Sequence, residues 1–234
     1  NLTVNGNLDL RGTKITKIPN SLKVNGNLDF LETDITSLPD NLTVNGYLDL
    51  RGTPIAKLPE NLTVKGDLDL EYTNITKLPD NLMVNGYLNL SYTNITSLPN
   101  NLTVNGNLDL RGTKITKLPD NLTVNGGLYL RNTKVTKLPK NLTVKGNLYL
   151  TGTAITELPN DLTVGGEIRG IDQSIIDDWK QRTEKHSMFK QSLDQQIEQN
   201  RFVNQSTEPD KENVAKQIIE SDPSPNKQYI RWLL

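Results

Sequence analysis

The sequence predicts a repeat solenoid, mainly β, with one short parallel strand per 20-residue coil and an α-helical C-terminal region. Three observations carry this. A 20-residue unit runs through residues 1–160 in eight copies without an insertion. Within the unit apolar residues alternate with polar ones instead of recurring at helical spacing. After Gly170 glycine disappears, and Gln, Glu, Asp and Lys become common.

The unit reads N-L-x-V-x-G-x-L-x-L-x-x-T-x-I-x-x-L-P-x. Gly at position 6, Thr at position 13 and Pro at position 19 recur in all eight copies. A ninth copy starts at Asp161-Leu162-Thr163-Val164 and decays after Ile171, which bounds the solenoid at 1–171. The apolar places are 2, 4, 8, 10, 15 and 18, which in the first copy are Leu2, Val4, Leu8, Leu10, Ile15 and Ile18. Alternation from 2 to 10 suits extended chain with one buried face. A helix would be broken by the Gly and Pro of every copy. Each coil therefore has a strand near positions 7–11, a turn, and a Pro-marked return. One coil cannot bury its own apolar face, but stacked coils can. That thin architecture also fits an apolar fraction of only 34%.

Composition excludes several functions. There is no Cys, hence no disulfide, zinc-thiolate site or thiol nucleophile. The formal net charge is −1, and the repeats (16 basic, 14 acidic residues) and residues 161–234 (10 and 13) are each nearly balanced. No nucleic-acid partner is expected from that balance. No apolar run is long enough for a membrane span. The single His, His186, lies in the tail, away from any nucleophile motif, and no Gly-rich phosphate loop occurs. No catalytic residue, cofactor or metal site is expected.

Leu8-x-Leu10-x-x-Thr13-x-Ile15-x-x-Ile18-Pro19 resembles the core of the leucine-rich repeat, L-x-L-x-x-N-x-L-x-x-L-P. The short period is similar to that of bacterial and phage-like members of that family. The resemblance covers about 160–170 residues. It departs at position 13, where Thr replaces the family's Asn. The family's Asn bonds neighbouring coils as a ladder, so a weaker Thr ladder is expected here. A parallel β-helix is the structural alternative.

The resemblance implies that positions 7, 9 and 11 of the strand row line a concave binding surface, with 12 at its rim. These positions vary between copies while the buried ones hardly do. Six of the seven Tyr lie in the array at positions 7, 9 or 12, and none occupies a core place. Aromatic residues are enriched at protein interfaces. The fourth copy puts Asp67, Asp69 and Glu71 on one strand face, with Asp49 in the neighbouring coil. Tyr47, Tyr87, Tyr72 and Tyr92 surround that cluster. These eight residues are the expected partner-binding site, and a basic segment of a protein is the expected partner. Lys114, Lys117, Lys134, Lys137, Lys140 and Lys145 gather on the turn edge as solubility devices.

In the tail, Ile171, Ile175, Trp179, Arg182, His186, Phe189, Leu193 and Ile197 fall three or four apart. They predict an amphipathic helix over 172–203, with Asp172 as its cap. Its expected role is to cover the open end of the stack through Ile175 and Trp179, and an oligomerising helix is the rival. Residues 204–234 read as a linker followed by short helices. Full-consensus repeat at Asn1 and an end on Trp232-Leu233-Leu234 predict a fragment of a longer chain. The overall expectation is a monomeric, non-enzymatic module that binds a protein on the strand face. The alternative is a structural spacer in a larger microbial or phage protein.

Overall fold

The computed structural model describes residues 2–100 and 102–203, with side chains as far as Glu198. The chain divides into two compact units, Asn1–Ile176 and Asp177–Leu234. The first is a parallel β-solenoid with 20 residues per coil. Each strand pairs with the residues 20 positions away, as in Leu8↔Leu28 and Asp9↔Asp29. The expected fold class is therefore observed, with one refinement. Each coil carries two strands instead of one, and they build two nine-stranded parallel sheets in strict sequence order. The first sheet runs from Leu2–Val4 and Leu22–Val24 to Thr163–Val164. The second runs from Leu8–Asp9 to Ile168–Arg169. At about 4.8 Å per coil the stack is about 38 Å long from first strand to ninth.

Gly at position 6 separates the two strands and explains its own recurrence. Gly26 N donates to Gly6 O at 3.1 Å, and the same bond repeats up to Gly166 N and Gly146 O at 3.0 Å. This ladder brings backbone against backbone. A Cβ on Gly106 would lie 2.6 Å from the carbonyl carbon of Gly86, which only glycine avoids. The second sheet's ladder continues past its two-residue strands: Leu8, Leu10 and Gly12 donate to Asn27, Asp29 and Leu31 at 2.8–2.9 Å. This is the extended stretch expected at positions 7–11.

The turn that follows has a local chemistry. Position 12 is left-handed in every full copy, with Gly at four of them (φ 64° at Gly12). The Thr13 hydroxyl donates to the Leu10 carbonyl of its own coil at 2.7 Å, and Thr53, Thr73, Thr93 and Thr113 repeat the bond. The Thr ladder between coils expected from the family resemblance is therefore not formed. A side chain ending one atom beyond Cβ reaches back to its own turn and not across to the next coil. Thr33 is the exception, buried without a hydroxyl partner among the described residues, in the coil where Phe30 replaces Leu.

The core is the six expected positions. In the sixth coil Leu102, Val104, Leu108, Leu110, Ile115 and Leu118 are all buried. In the first coil the same places are half-buried or exposed because one neighbour covers them instead of two. The helix α1 spans Gln173–Val203. Asp172 caps it by accepting the Ser174 N–H at 3.0 Å and the Ser174 hydroxyl at 2.9 Å. Those bonds hold the Asp172 carboxyl below its ordinary range. The short helices expected in 204–234 lie outside the described residues. No helix of the described residues is long and apolar enough to cross a membrane.

Candidate functional site

The outer face of the second sheet carries the residues selected from the sequence. Position 9 was expected to stand free on that face, and it does not. Asp29, Asp49, Asn89 and Asp109 are only 1–7% exposed. The cause is local. Each Asp or Asn at position 9 folds along the strand and accepts the backbone N–H two residues on: Leu31 to Asp29 at 2.9 Å, and Arg51 to Asp49, Glu71 to Asp69, Ser91 to Asn89 and Arg111 to Asp109 at 3.0 Å. These are Asx turns that close the strand end. Where position 11 is Arg beside an Asp at position 9, its guanidinium adds a second layer. Arg11 and Arg111 pair with Asp9 and Asp109 at 2.6 Å, and Arg51 pairs with Asp49. Arg11 holds the exposed Asp9 carboxyl down to about 2.

Coils 2 and 4 lack that Arg, because position 11 is Leu31 and Glu71. Their carboxylates borrow from the coil before: Arg11 reaches Asp29 at 3.5 Å and Arg51 reaches Asp69 at 3.7 Å. Asp69 is thus the more weakly compensated acid, and burial pushes its carboxyl up, against the bonds it accepts from Glu71 and Asn89. Across positions 7, 9 and 11 of coils 1–4 stand six carboxylates (Asp9, Asp29, Asp49, Asp67, Asp69, Glu71) and two arginines (Arg11, Arg51).

Five of the eight expected residues line one cleft of about 300 Å³: Tyr47, Asp49, Asp67, Asp69 and Tyr87, with Arg11, Asp29 and Arg51 beside them. The two tyrosines lean apart. The Tyr47 hydroxyl donates to Asp29 of the preceding coil at 3.2 Å, and the Tyr87 hydroxyl to Asp109 of the following coil at 3.0 Å. Burial raises the titration point of both phenols, and the neighbouring carboxylates raise it further. The opening between them falls on coil 4, over Asp67 and Asp69. Glu71, Tyr72 and Tyr92 do not line the cleft. They stand at its edge, on positions 11 and 12. Tyr72 and Tyr92 are exposed and stacked, with ring centroids 4.9 Å apart and planes 7° from parallel.

Position 7 has a role the sequence did not suggest. Oδ1 of Asn7, Asn27, Asp67, Asn107 and Asn147 accepts the position-7 N–H of the next coil at 2.7–3.0 Å. Position 5 adds a second series, with Asn25 donating to Asn5 at 3.1 Å and Asn125 to Asn105 at 2.8 Å. Side-chain bonding between coils, expected of Thr at position 13, is thus carried by positions 5 and 7. The signal was present: Asn or Asp fills position 7 in five of eight copies. A second aromatic pair, Tyr129 on Tyr149 at 4.5 Å, continues the position-9 row where the aspartates stop.

No family model matches the chain, and no curated protein matches it.

Proposed function

We propose that this protein is a non-enzymatic binding module that takes a protein partner across the outer face of its second sheet, centred on coils 3–5. The observation that carries this reading is the opening between Tyr47 and Tyr87, with Asp67 and Asp69 beneath it and the Tyr72–Tyr92 stack alongside. Aromatic surface supplies area at low entropic cost, and an acidic surround selects a basic segment. Asp49 and Asp109 belong to the frame, because their arginines already occupy them. Asp67, Asp69, Glu71, Tyr47, Tyr72 and Tyr92 are the groups left to a partner. The motif resemblance supports a kinship with the leucine-rich-repeat proteins, and the near-identical coils fit a microbial or phage source with recent duplication.

The test is affinity for a protein captured by the whole chain from its native host. Wild type is compared with Tyr47→Ala, Asp69→Lys and, on the lysine edge, Lys117→Ala. Truncating a true anchor costs about 2 kcal/mol. Asp69→Lys is expected to slow association and flatten its salt dependence. If only Lys117→Ala weakens binding, the lysine edge is the site. If repeat deletion matters and no face variant does, the solenoid is a spacer.

A further inference from the structure

Tyr72 and Tyr92 occupy backbone that does not suit them. Both have φ 57°, at the position where four copies use Gly. The left-handed region disfavours a large side chain. Two successive tyrosines there keep a strained backbone for the sake of their rings.

The position-12 row also has a direction. Each side chain on it leans toward the following coil. The Tyr92 ring lies over Gly112, 2.7 Å from where a Cβ would stand, and Asn132 lies over Gly152 in the same way. Tyr72 stacks on Tyr92. One ring face of the stack is therefore covered by Gly112, and the other, the Tyr72 face toward coil 3, is not. Glu32 leans over Gly52 in the same sense, its Cγ 3.8 Å from where a Cβ would stand, and Gly52 itself has no side chain to lean against the Tyr72 face. Position 12 is thus bare for one coil between Glu32 and Tyr72, a span of about 9.6 Å along the stack. Glu32 and Glu71 flank this gap, and neither makes an ion pair among the described residues.

We propose that the free face of Tyr72 is a stacking seat for one arginine side chain of the partner, its guanidinium taking the place that a side chain at position 52 would fill, between the carboxylates of Glu32 and Glu71. The gap is one side chain wide. Its wall is a ring face, and a planar, weakly hydrated cation stacks there better than an ammonium does. The two carboxylates take the guanidinium's outward N–H groups. This deepens the protein-binding reading above and rests on it, because it names the residue type that the face selects.

The probe is the capped tripeptide acetyl-Gly-Arg-Gly-amide, titrated into the ¹⁵N-labelled whole chain, with the Lys tripeptide as comparison. The expected result is saturable shifts at residues 32, 52, 71 and 72, with the Arg peptide binding roughly 3-fold tighter than the Lys peptide. Tyr72→Phe keeps them. Tyr72→Asn and Gly52→Asn abolish them, and both fit the backbone, since Asn132 adopts φ 58° at this same position. Equal response to Arg and Lys that survives Tyr72→Asn overturns the stacking seat. Shifts confined to Tyr47, Asp67 and Asp69 overturn it while leaving the protein-binding reading intact. No saturable shift anywhere on the face counts against both.

Discussion

Tyr47 and Tyr87 stand two coils apart at the same position of the repeat, yet their hydroxyls bond in opposite directions along the stack. Tyr47 turns back to Asp29, and Tyr87 turns forward to Asp109. Neither ring covers coil 4. The residue between them at position 7, Asp67, bonds the Tyr87 N–H at 2.7 Å and so anchors the coil that carries one wall of the opening. Framework and candidate surface share side chains here, which makes their separate contributions measurable.

The core and the outer face separate at adjacent residues. Leu108 is fully buried and Asn107 is exposed. Leu108→Asp is expected to cost about 4 kcal/mol or more, because an unpaired carboxylate enters the stack. Asn107→Asp is expected to be near neutral, since Asp67 shows that a carboxylate makes the same inter-coil bond. Asn107→Leu loses that bond, at about 1 kcal/mol. Thermal unfolding followed by circular dichroism orders the three. Equal midpoints for Leu108→Asp and Asn107→Asp would refute the assignment of faces.

The glycine ladder gives a contrast within one repeat position. A Cβ on Gly106 meets the Gly86 carbonyl carbon at 2.6 Å, whereas one on Gly6 meets nothing within 4 Å. Gly106→Ala is expected to cost about 1–3 kcal/mol through forced separation of two coils. Gly6→Ala is expected to change stability by less than about 0.5 kcal/mol. Denaturant midpoints of the two variants decide it, and matching losses would show that the recurring Gly is needed for its own backbone and not for close approach.

The solenoid was legible because a period of 20 leaves few other ways to bury six apolar residues per coil. Leu2, Val4, Leu8, Leu10, Ile15 and Ile18 mark positions that are buried in every inner copy. The strand at positions 2–4 was less legible, since from the third coil on it is only two residues long, as at Thr43–Val44, and adjoins a glycine corner. The candidate face was legible only as a set of positions. Spacing cannot distinguish an Asp that faces a partner from one that closes its own strand end. Asp49 and Asp69 occupy the same position, and only the Arg at 51 against the Glu at 71 separates a neutralised carboxylate from a weakly compensated one. The lean of Tyr47 and Tyr87 depends on Asp29 and Asp109, 18 and 22 residues away, which no local pattern records.

Asp69 should show an inverted pH dependence. Its folded carboxyl titrates above the ordinary range, so its contribution to stability is fully present at low pH and lost as pH rises through the folded value. Asp69→Asn keeps the acceptor for the Glu71 N–H, as Asn89 does for Ser91. The variant is expected to raise the midpoint at pH 7, with the advantage shrinking as pH falls through the carboxylate range. A variant less stable at pH 7 than at pH 3, relative to wild type, would contradict the sign.

Tyr72→Asn separates folding from binding. Relief of the left-handed tyrosine offsets a lost ring stack worth about 0.5–1.5 kcal/mol. Stability is therefore expected to change by less than about 1 kcal/mol in denaturant unfolding. A loss of about 3 kcal/mol or more would make the ring a structural support and not a surface group.

The most direct test of the binding face is site-specific photo-crosslinking from the intact chain. A benzophenone amino acid replaces Glu71 at the edge of the opening, Lys117 on the lysine edge, or Thr103 on the outer side of the first sheet, one site per variant. Illumination with the captured partner is expected to give a covalent adduct from position 71 and none from 117 or 103. Adducts from 117 or 103 with none from 71 would contradict the account.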